Sequence, residues 1–378
     1  MAEGLAWLAG ETSGDFIASL VLPQVKAQYP NEPMFGIGGD RMIAAGLEPW
    51  HHSRVLSVRG YVEVIKKLPS LLRLRSEMKR RVLQAAPRAF IGVDAPDFNL
   101  AIEEYLRIRG IKTIHFVCPS IWAWRPERIH AIKRAVDHML LIFPFEKKLM
   151  DDAHIESTYI GHPLAAEIPI DPDKDAAREA LEIDSIGPVF AVMPGSRQAE
   201  VAWCGPRFFE ACERVLDFDS RSLFLVPATD EARRAQISTL LSQYPRAQKA
   251  TRLIEGNSHT VMQASDAVLV ASGTATLEAA LFKRPMVVGY AMPGLTGLLM
   301  LEKGITPWVS LPNILAGETL VPELLQYYCK PEPLAFALWD AYQKRNDSKL
   351  MDRFYQIHES LLRDTASLAS EAIRGVCG

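Results

Sequence analysis

The stretch VFAVMPGSRQAEV, residues Val189 to Val201, decides the fold of this protein. An apolar run comes first, a turn of small residues follows, and a helical pattern begins after the turn. Uninterrupted apolar runs of this length are typical of strands buried on both faces of a parallel sheet. The stretch DAVLVASGTATLEAAL, at 266–281, has the same order, and PMVVGY follows it at 285–290. Together these stretches predict a parallel α/β domain in the second half of the chain.

The two turns predict a site for a nucleotide sugar. Each turn leads into a helix whose first backbone N–H groups are free of helical partners and can bind an anion. Ser196 and Arg197 lie in the first turn, and Gly273 and Thr274 lie in the second. Glu278 comes one helical turn later, on the same face as Thr274. We therefore expect a diphosphate on the amides and on Arg197, with the ribose hydroxyls on Glu278.

Similar apolar runs recur along the chain and predict its domain organisation. Short strands that alternate with helical patterns are typical of doubly wound α/β domains. The predicted strands lie at 5–10, 34–39, 88–94, 112–119, 138–144, 157–163, 189–195, 222–228, 250–256, 266–273 and 285–290. We expect two Rossmann-like domains facing a cleft, at 1–167 and 168–330, the second of which binds the nucleotide sugar. A helical tail at 331–378 is expected to pack back on the first domain or on a partner chain.

Composition and charge restrict the function classes. The 378 residues carry a formal net charge of −3, which does not favour nucleic acid as a partner. The five cysteines are scattered, which argues against a disulfide framework and a structural zinc site. No apolar run approaches the ~20 residues that span a bilayer, and the N-terminus lacks signal-peptide features. We expect a cytoplasmic protein, soluble or peripheral, with no metal site and no cofactor.

The first predicted strand ends in LAGETSGD, residues Leu8 to Asp15. Its glycines permit a tight turn, and Thr12 and Ser13 are good helix N-caps. Glu11 would face the cleft and orient an acceptor hydroxyl, and Ser13 is placed on the same acceptor side. The alternative is a capped strand–helix turn with no further role. The segment GIGGD, at 36–40, predicts a plain turn.

The stretch VDAPDFN, at 93–99, places two carboxylates at the end of the third predicted strand. A carboxylate at the edge of the sheet can take a proton from an attacking sugar hydroxyl. We expect Asp94 to be this base and Asp97 to be structural. In the alternative interpretation Asp97 caps the following helix and Asp94 stabilises the turn.

The stretch PSIWAWRPERI, at 119–129, puts two tryptophans beside two arginines. Aromatic rings next to cations suit a sugar ring or an anionic group, so we place Trp122 and Arg125 on the acceptor side. A core-facing aromatic corner is the alternative for Trp122. His115 and His162, near strand ends, are expected to be structural.

The stretch VRGYVEVIKKLPSLLRLRSEMKRR, at 58–81, is both basic and apolar. Such a stretch indicates an interfacial element on an anionic membrane surface, with Arg59, Lys66 and Lys67 on the lipid side. The alternative is a solvated helix with an apolar core face. A lipid substrate would explain the excess of positive charge.

A last motif, VSLPNILAG at 309–317, follows the final predicted strand. Asn313 in this loop can donate to a phosphate or sugar oxygen. In the alternative interpretation it caps the next helix.

Taken together, the motifs resemble those of the lipid-A-disaccharide synthases, a family of GT-B glycosyltransferases. They occur in the family's order from about residue 8 to 320, as AGETSGD, VDAPDFN, PSIWAWR, FPFE (143–146), PGSRQAEV, ASGTATLE, PMVVGY and VSLPNILAG. The resemblance implies inverting transfer from UDP-2,3-diacylglucosamine to the 6-hydroxyl of 2,3-diacylglucosamine 1-phosphate (lipid X). The products would be the β-1′,6-linked disaccharide 1-phosphate and UDP.

The resemblance also implies roles for individual residues. Asp94 matches the family's proposed general base, and Glu11 matches its N-terminal active-site acid. Arg197 and Asn313 match residues that act on the UDP diphosphate. Members of the family are peripheral on the cytoplasmic face of the inner membrane of Gram-negative bacteria, and known members dimerise through exchanged C-terminal segments. Arg59 stands where the family usually has an apolar residue, which bears on acyl-chain preference.

Two other functions remain open at this point. The first is a UDP-sugar 2-epimerase on the same fold, against which the basic stretch at 58–81 argues. The second is a non-catalytic module that binds nucleotide sugar or lipid. The carboxylates Glu11 and Asp94, expected opposite the diphosphate, argue against that second function.

Overall fold

The computed structural model describes residues 4–56, 61–292 and 305–378, with the backbone alone over 61–67. The chain forms two compact units, Met1–Ala166 with Leu361–Gly378, and Glu167–Ser360. One sheet of parallel strands lies at the centre of each unit.

The first unit contains a seven-stranded sheet in the order β3-β2-β1-β4-β5-β6-β7. Every strand pair in it is parallel. The central strands are wholly buried because helices cover the sheet, which is why their sequences are continuously apolar. The strands are β1 (Leu5–Ala9), β2 (Met34–Gly38), β3 (Glu48–His52), β4 (Ala89–Val93), β5 (Lys112–Phe116), β6 (His138–Leu141) and β7 (Ser157–Tyr159).

Helices follow the strands of the first unit in alternation. They are α1 (Thr12–Gln28), α2 (Asp40–Ala44), α3 (Tyr61–Ala85), α4 (Pro96–Arg107), α5 (Ile129–Ala135), α6 (Glu146–Asp152) and α7 (Pro163–Glu167), which reaches the boundary between the units. Short 3-10 turns lie at Ser53–Val55 and Pro126–Arg128. Helices α3 and α4 bury Met78 and Ile102 against Leu8 and Phe90 of the sheet.

The second unit contains a six-stranded sheet in the order β10-β9-β8-β11-β12-β13, again parallel throughout. Its strands are β8 (Val189–Met193), β9 (Leu223–Ala228), β10 (Thr251–Glu255), β11 (Ala267–Val270), β12 (Met286–Tyr290) and β13 (Glu323–Leu325). Its helices are α8 (Lys174–Ala180), α9 (Gln198–Phe218), α10 (Glu231–Leu241), α11 (Pro245–Lys249), α12 (Ser258–Ala264) and α13 (Thr274–Leu281), then Leu311–Ala316, Pro331–Gln343 and Ser348–Leu361. The core between α9 and the sheet contains Phe190, Phe208 and Phe224.

The predicted fold class, two doubly wound α/β sheets with a helical C-terminal segment, is confirmed. Every predicted strand is present, and the structure adds β3 and β13 at the sheet edges. Strand β3 has the sequence EPWHH and is partly exposed, so it lacks an apolar run. Strand β13 has only three residues, ELL. Edge strands need one sheet neighbour and little burial, and the apolar pattern therefore does not reveal them.

The C-terminal helices divide between the units. Pro331–Gln343 packs on α9 in the second unit, where Leu334 and Leu338 join the core. The last helix, Thr365–Cys377, packs on α1 in the first unit. There Thr365 Oγ1 donates to the carbonyl of Ile160 over 2.9 Å. Within the described ranges, no helix is both long enough and apolar enough to cross a membrane.

Candidate active site

The loops that carry the predicted acceptor-side residues all follow strands of the first sheet. Because parallel strands end at the same edge, the loops after β1, β4, β5 and β6 lie along one side of the first unit. They contain Glu11, Asp94, Trp122 and the segment FPFE at 143–146.

Asp94 lies directly after β4 in a tight turn. Its φ is +54° and that of Ala95 is +45°, which is the left-handed region that side chains rarely adopt. The Asp94 carboxylate accepts two hydrogen bonds, from Ser13 Oγ to Oδ2 at 3.1 Å and from the Ala95 N–H to Oδ1 at 2.9 Å. The half-buried carboxylate is therefore held in one orientation at the sheet edge.

Asp97 is separate from Asp94 in its contacts. It lies in the first turn of α4, its side chain is exposed, and its carboxylate pairs with the Arg128 guanidinium. The N-cap position belongs to Ala95, so the alternative in which Asp97 caps this helix is wrong. Asp97 instead connects the start of α4 to the loop that contains Arg128.

Glu11 is the N-cap residue of α1, in an extended conformation with its side chain exposed. The glycines around it allow α1 to start close to β4. A Cβ at Gly14 would lie 3.2 Å from the Val93 carbonyl oxygen, which is tighter than ordinary contacts. This close approach brings Ser13, one residue earlier, within hydrogen-bond distance of Asp94.

The prediction that the GIGGD segment is a plain turn is wrong for most of its length: residues 36–38 end β2, Gly39 is the N-cap and Asp40 begins α2. The buried Asp15 carboxylate accepts hydrogen bonds from the N–H groups of Gly39, Arg41 and Met42, at 2.7, 3.1 and 3.1 Å. These bonds cap the start of α2. A side chain at Gly39 would meet the Asp15 carboxylate at 2.6 Å, so glycine makes room for the cap.

Trp122 forms an aromatic corner with the FPFE segment. Its ring packs edge-on against Phe143 and Phe145, with centroids 6.4 and 5.2 Å away. Its Nε1 donates to Glu146 Oε1 over 3.2 Å, while the Phe143 N–H donates to Glu146 Oε2 over 3.1 Å. Glu146 is completely buried, and desolvation raises its pKa to about 8. The corner leaves Trp122 half-buried.

His162 lies against the same corner, with its ring 5.4 Å from that of Phe143. Burial lowers the pKa of His162 to about 4. Its Nδ1 accepts a hydrogen bond from the Leu164 N–H over 3.2 Å. These contacts agree with the structural role predicted for this histidine.

The second tryptophan of the loop, Trp124, is 43% exposed and lies between two arginines. The Arg125 guanidinium lies 4.6 Å from its ring centroid and that of Arg128 lies 5.8 Å away. A cation that stacks on an exposed ring keeps its charge available to an anion. The structure thus gives Arg125, rather than Trp122, the exposed position on this loop.

The predicted lipid-side lysines lie in α3. Arg59 lies outside the described residues, and Lys66 and Lys67 lie where only the backbone is described. Further along α3, Leu68 and Leu72 are 48% and 42% exposed. The same helix buries core residues such as Met78, so it has an apolar core face as well as exposed leucines.

In the second unit, the turn after β8 already binds a carboxylate. Glu200 Oε2 accepts hydrogen bonds from the N–H groups of Ser196 and Arg197 at 3.1 and 3.2 Å, and Oε1 accepts one from the Arg197 guanidinium at 3.1 Å. Gly195, with φ +121°, leaves space for this side chain, because a Cβ there would meet Glu200 at 2.4 Å. The prediction that these amides are free is therefore wrong: Glu200 occupies the anion position, while the Arg197 side chain stays 79% exposed.

The turn after β11 is open. Gly273, with φ +126°, is the N-cap of α13, and a Cβ there would meet no atom within 4 Å. Thr274 is exposed at the first helical position. One turn later, the Glu278 carboxylate lies 3.6 Å from His259 Nε2, and this contact raises the pKa of His259. The backbone N–H groups at the start of α13 are suited to bind an anion, and the Glu278–His259 pair lies beside them.

Asn313 is fully buried and uses its whole amide within the protein. Its Nδ2 donates to the Val321 carbonyl and to Glu323 Oε1, both at 2.9 Å, and its Oδ1 accepts from the N–H groups of Leu320 and Val321 at 2.8 and 3.0 Å. Glu323 also accepts from the N–H groups of Val309 and Ser310. Asn313 lies inside the helix Leu311–Ala316, whose N-cap is Ser310, so the alternative prediction that Asn313 caps this helix is wrong. Together with Glu323 it fixes the loop that leads into the helix.

That loop adjoins the open turn. Ser272 Oγ donates to the Val309 carbonyl over 3.4 Å, and the Leu311 N–H donates to Thr276 Oγ1 over 3.2 Å. The contact of Asn313 with a diphosphate stays a prediction, whereas its hydrogen bonds give it a role in holding this loop beside Gly273.

A family model described as lipid-A-disaccharide synthetase matches residues 5–373, which is almost the whole chain. The chain belongs to this family. The match covers both units and all the motifs described above, so the resemblance inferred from the sequence is confirmed.

Curated relatives agree with the family. The chain is 49% identical over 374 residues to a lipid-A-disaccharide synthase of Paraburkholderia phymatum, covering 98% of this chain and 96% of the relative. It is 48% identical over 371 residues to the lipid-A-disaccharide synthase of Burkholderia vietnamiensis, with 98% and 95% covered.

Solved structures share the GT-B fold of this lipid-A-disaccharide synthetase family member. The S. aureus MnaA–UDP co-structure matches with a TM-score of 0.63 at 12% identity, covering 98% of this chain and 95% of that one. The calicheamicin glycosyltransferase CalG4 matches with a TM-score of 0.57 at 14% identity, covering 100% and 98%. At such identities the likeness concerns the fold alone.

Sequence reasoning missed several residues that organise the site of this family member. Glu200, Glu146, His259 and Glu323 each contact a predicted site residue through a side-chain interaction. A signal existed for two of them, because Glu200 lies in PGSRQAEV and Glu146 in FPFE. For His259 and Glu323 the sequence around the residue carries no motif, and only the packing of distant segments reveals the contact.

Proposed function

We propose that this chain joins UDP-2,3-diacylglucosamine to 2,3-diacylglucosamine 1-phosphate (lipid X), releasing UDP and forming the β-1′,6-linked lipid A disaccharide 1-phosphate. The observation that carries the proposal is the Asp94 carboxylate, held at the sheet edge by Ser13 and the Ala95 amide. The proposal is also supported by the match to lipid-A-disaccharide synthases over almost the whole chain.

In the proposed step Asp94 is the general base. As the acceptor O6 forms a bond to the anomeric carbon of the donor, its proton passes to the Asp94 carboxylate. The bond from that carbon to the UDP oxygen breaks on the opposite face, so the configuration inverts. Glu11, exposed at the start of α1, orients the acceptor hydroxyl. Base assistance of this kind contributes ~10²–10⁴ in rate.

UDP leaves as an anion, and the second unit supplies the groups that stabilise it. We assign the diphosphate to Arg197, Ser196 and the open helix start at Gly273 and Thr274, because preorganised donors are effective where charge develops. Glu278 takes the ribose hydroxyls. In this scheme no cofactor participates. When the phosphate binds, the hydrogen bonds from the Ser196 and Arg197 N–H groups to Glu200 must break so that these groups can donate to the phosphate.

For the acceptor and its acyl chains we propose the first unit, with Arg125 near the 1-phosphate and Trp122 supporting that loop. The exposed Leu68 and Leu72 on α3, together with Lys66, Lys67 and Arg59, would contact the cytoplasmic face of the inner membrane. Binding to anionic vesicles by co-sedimentation tests this assignment. Replacing Leu68 and Leu72 by glutamate is expected to abolish binding, and unchanged binding would contradict the membrane assignment.

We further propose a homodimer through the C-terminal tail, which sedimentation equilibrium tests.

The reaction is tested by measuring UDP release from UDP-2,3-diacylglucosamine with and without lipid X. We expect release only when lipid X is present, with a disaccharide product of the combined mass. Release of UDP or formation of an isomer from the donor alone would instead indicate a UDP-sugar 2-epimerase. Binding of both ligands without any product would indicate a non-catalytic module.

A further inference from the structure

Three buried polar side chains lie behind the turn that presents Asp94. Asn99 and Glu103, one helical turn apart on α4, and His115, on β5, are each 0% exposed. Burial of polar groups is unfavourable unless their hydrogen bonds are satisfied, so a cluster of this kind needs an explanation beyond core packing.

Asn99 ties the ends of β1 and β4 together. Its Nδ2 donates to the Asp94 carbonyl over 2.8 Å, with longer contacts to the carbonyls of Leu8 and Val93 at 3.3 and 3.4 Å. The Asp94 carbonyl carbon is bonded to the Cα that bears the side chain, so this hydrogen bond restrains the backbone from which the carboxylate projects. The left-handed φ of Asp94 is unfavourable by itself and requires such support.

Glu103 and His115 form a pair beside Asn99. Glu103 Oε1 lies 2.7 Å from His115 Nδ1. Gly92 of β4 makes room for the cluster, because a Cβ there would lie 2.1 Å from Glu103 Oε1 and 3.1 Å from the Asn99 Cβ. Burial raises the pKa of Glu103, and His115 opposes that rise. Glu103 and Asn99 therefore share the space that Gly92 leaves beside β4, and His115 holds Glu103 there.

The cluster is also incompletely satisfied. Asn99 Oδ1, Glu103 Oε2 and His115 Nε2 are buried and have no hydrogen-bond partner among the residues that the structure describes. Three apolar residues of similar size would avoid this loss, so stability alone does not account for the cluster.

We infer that Asn99, backed by the Glu103–His115 pair, is a positioning residue that sets the orientation of the Asp94 carboxylate for proton transfer. This inference rests on the proposed function, in which Asp94 is the base. A small displacement of a reacting group lowers turnover on the order of 10²-fold without affecting substrate binding elsewhere.

The test combines Asn99→Ala with Asp94→Asn in a double-mutant cycle. We expect Asn99→Ala alone to lower kcat on the order of 10²-fold, with the KM for the UDP-sugar unchanged. In the Asp94→Asn background, where no base is left to position, the same change is expected to alter kcat less than about twofold. A role limited to stability would instead lower kcat by the same factor in both backgrounds, and that result would overturn the inference.

Control variants separate this outcome from loss of folding. Leu106→Ala removes a buried side chain from the same helix, away from the turn, and is expected to lower stability while kcat stays unchanged. If Asn99→Ala does not fold, Glu103→Gln keeps the size of the side chain and is expected to lower kcat in the same background-dependent way. Wild-type turnover in Asp94→Asn would contradict the proposed base. Loss in Asp94→Asn with wild-type kcat in both Asn99→Ala and Glu103→Gln would contradict only the positioning role.

Discussion

Ser13 Oγ lies 3.1 Å from Asp94 Oδ2 and donates a hydrogen bond to it, although the two residues are 81 positions apart. The contact exists because β1 and β4 are neighbours in the sheet and α1 starts close to the end of β4. The first turn of α1 thus supports the carboxylate that follows β4.

From this contact we expect Ser13→Ala to lower kcat about fivefold, since a hydrogen bond to a charged group contributes about 1 kcal/mol or more. The free energy of unfolding should change little, because Ser13 is exposed. Steady-state kinetics and denaturant unfolding measure the two effects. Ser19→Ala is a matched control on α1, where the Ser19 hydroxyl donates to the Phe16 carbonyl and not to a site residue. Equal kcat in Ser13→Ala and wild type would contradict the supporting role.

Asp94→Asn should lower kcat by a factor of ~10²–10⁴, because the amide cannot accept the proton of the acceptor hydroxyl. The fold should persist, since asparagine tolerates the left-handed φ of +54° at this position. UDP-release kinetics and the melting temperature check both points. Asp97→Asn is the matched control, because Asp97 pairs with Arg128 instead. Turnover near wild type in Asp94→Asn would exclude it as the base.

Glu200→Gln is expected to bind UDP several-fold more tightly than wild type. The Glu200 carboxylate competes with a phosphate for the Ser196 and Arg197 amides, and an amide side chain competes less well. Arg197→Ala should act in the opposite sense and weaken UDP binding about tenfold. Isothermal titration calorimetry with UDP gives both values.

The control for this pair is Glu210→Gln, further along α9, where Glu210 pairs with Arg214. Weaker UDP binding in Glu200→Gln would mean that Glu200 organises the loop rather than competing for it.

Asn313→Ala should lower the free energy of unfolding by about 2–4 kcal/mol, because it leaves buried partners without their hydrogen bonds. Asn313→Asp should be at least as destabilising, since it places a second carboxylate against Glu323 Oε1. Urea unfolding of both variants measures the change. Asn346→Ala, at an exposed turn of the same unit, is expected to have a small effect. Wild-type stability in Asn313→Ala would refute the structural role.

The raised pKa of the buried Glu146 leads us to expect that the free energy of unfolding depends on pH. Its pKa is about 8 in the folded protein and 4.5 ordinarily, so the folded state holds the proton more tightly than the unfolded state does. Its contribution is fully present below pH 4.5, and it is lost as the pH rises through about 8, by about 1.4 kcal/mol per pH unit at most.

Unfolding of wild type and Glu146→Gln from pH 5 to 8 measures this contribution. We expect the stability advantage of wild type over Glu146→Gln to shrink steadily as the pH rises. Glu127→Gln, on the exposed part of the neighbouring loop, should show a constant difference. A constant difference for Glu146→Gln as well would show that Glu146 is already ionised in the folded protein.

The sequence by itself determined the architecture and the position of the main carboxylate. Apolar runs such as VFAVM at 189–193 specify buried parallel strands, because only strands covered on both faces bury such runs completely. Strand ends then place Asp94 and Glu11 at one sheet edge by topology alone. The order of the motifs was enough to indicate the family that the comparison confirmed.

Only the tertiary structure decided which partner each polar side chain takes. The backbone amides after β8 donate to Glu200, and the side-chain amide of Asn313 bonds to the nearby Val321 carbonyl. Ser13 donates to Asp94. Strand and helix patterns depend on neighbours along the chain, which a sequence displays directly. The Ser13–Asp94 bond joins residues 81 positions apart and depends on which distant segments meet. The Arg197–Glu200 and Asn313–Val321 bonds join residues 3 and 8 positions apart, and they depend on how each turn folds, which the pattern of residue types does not display.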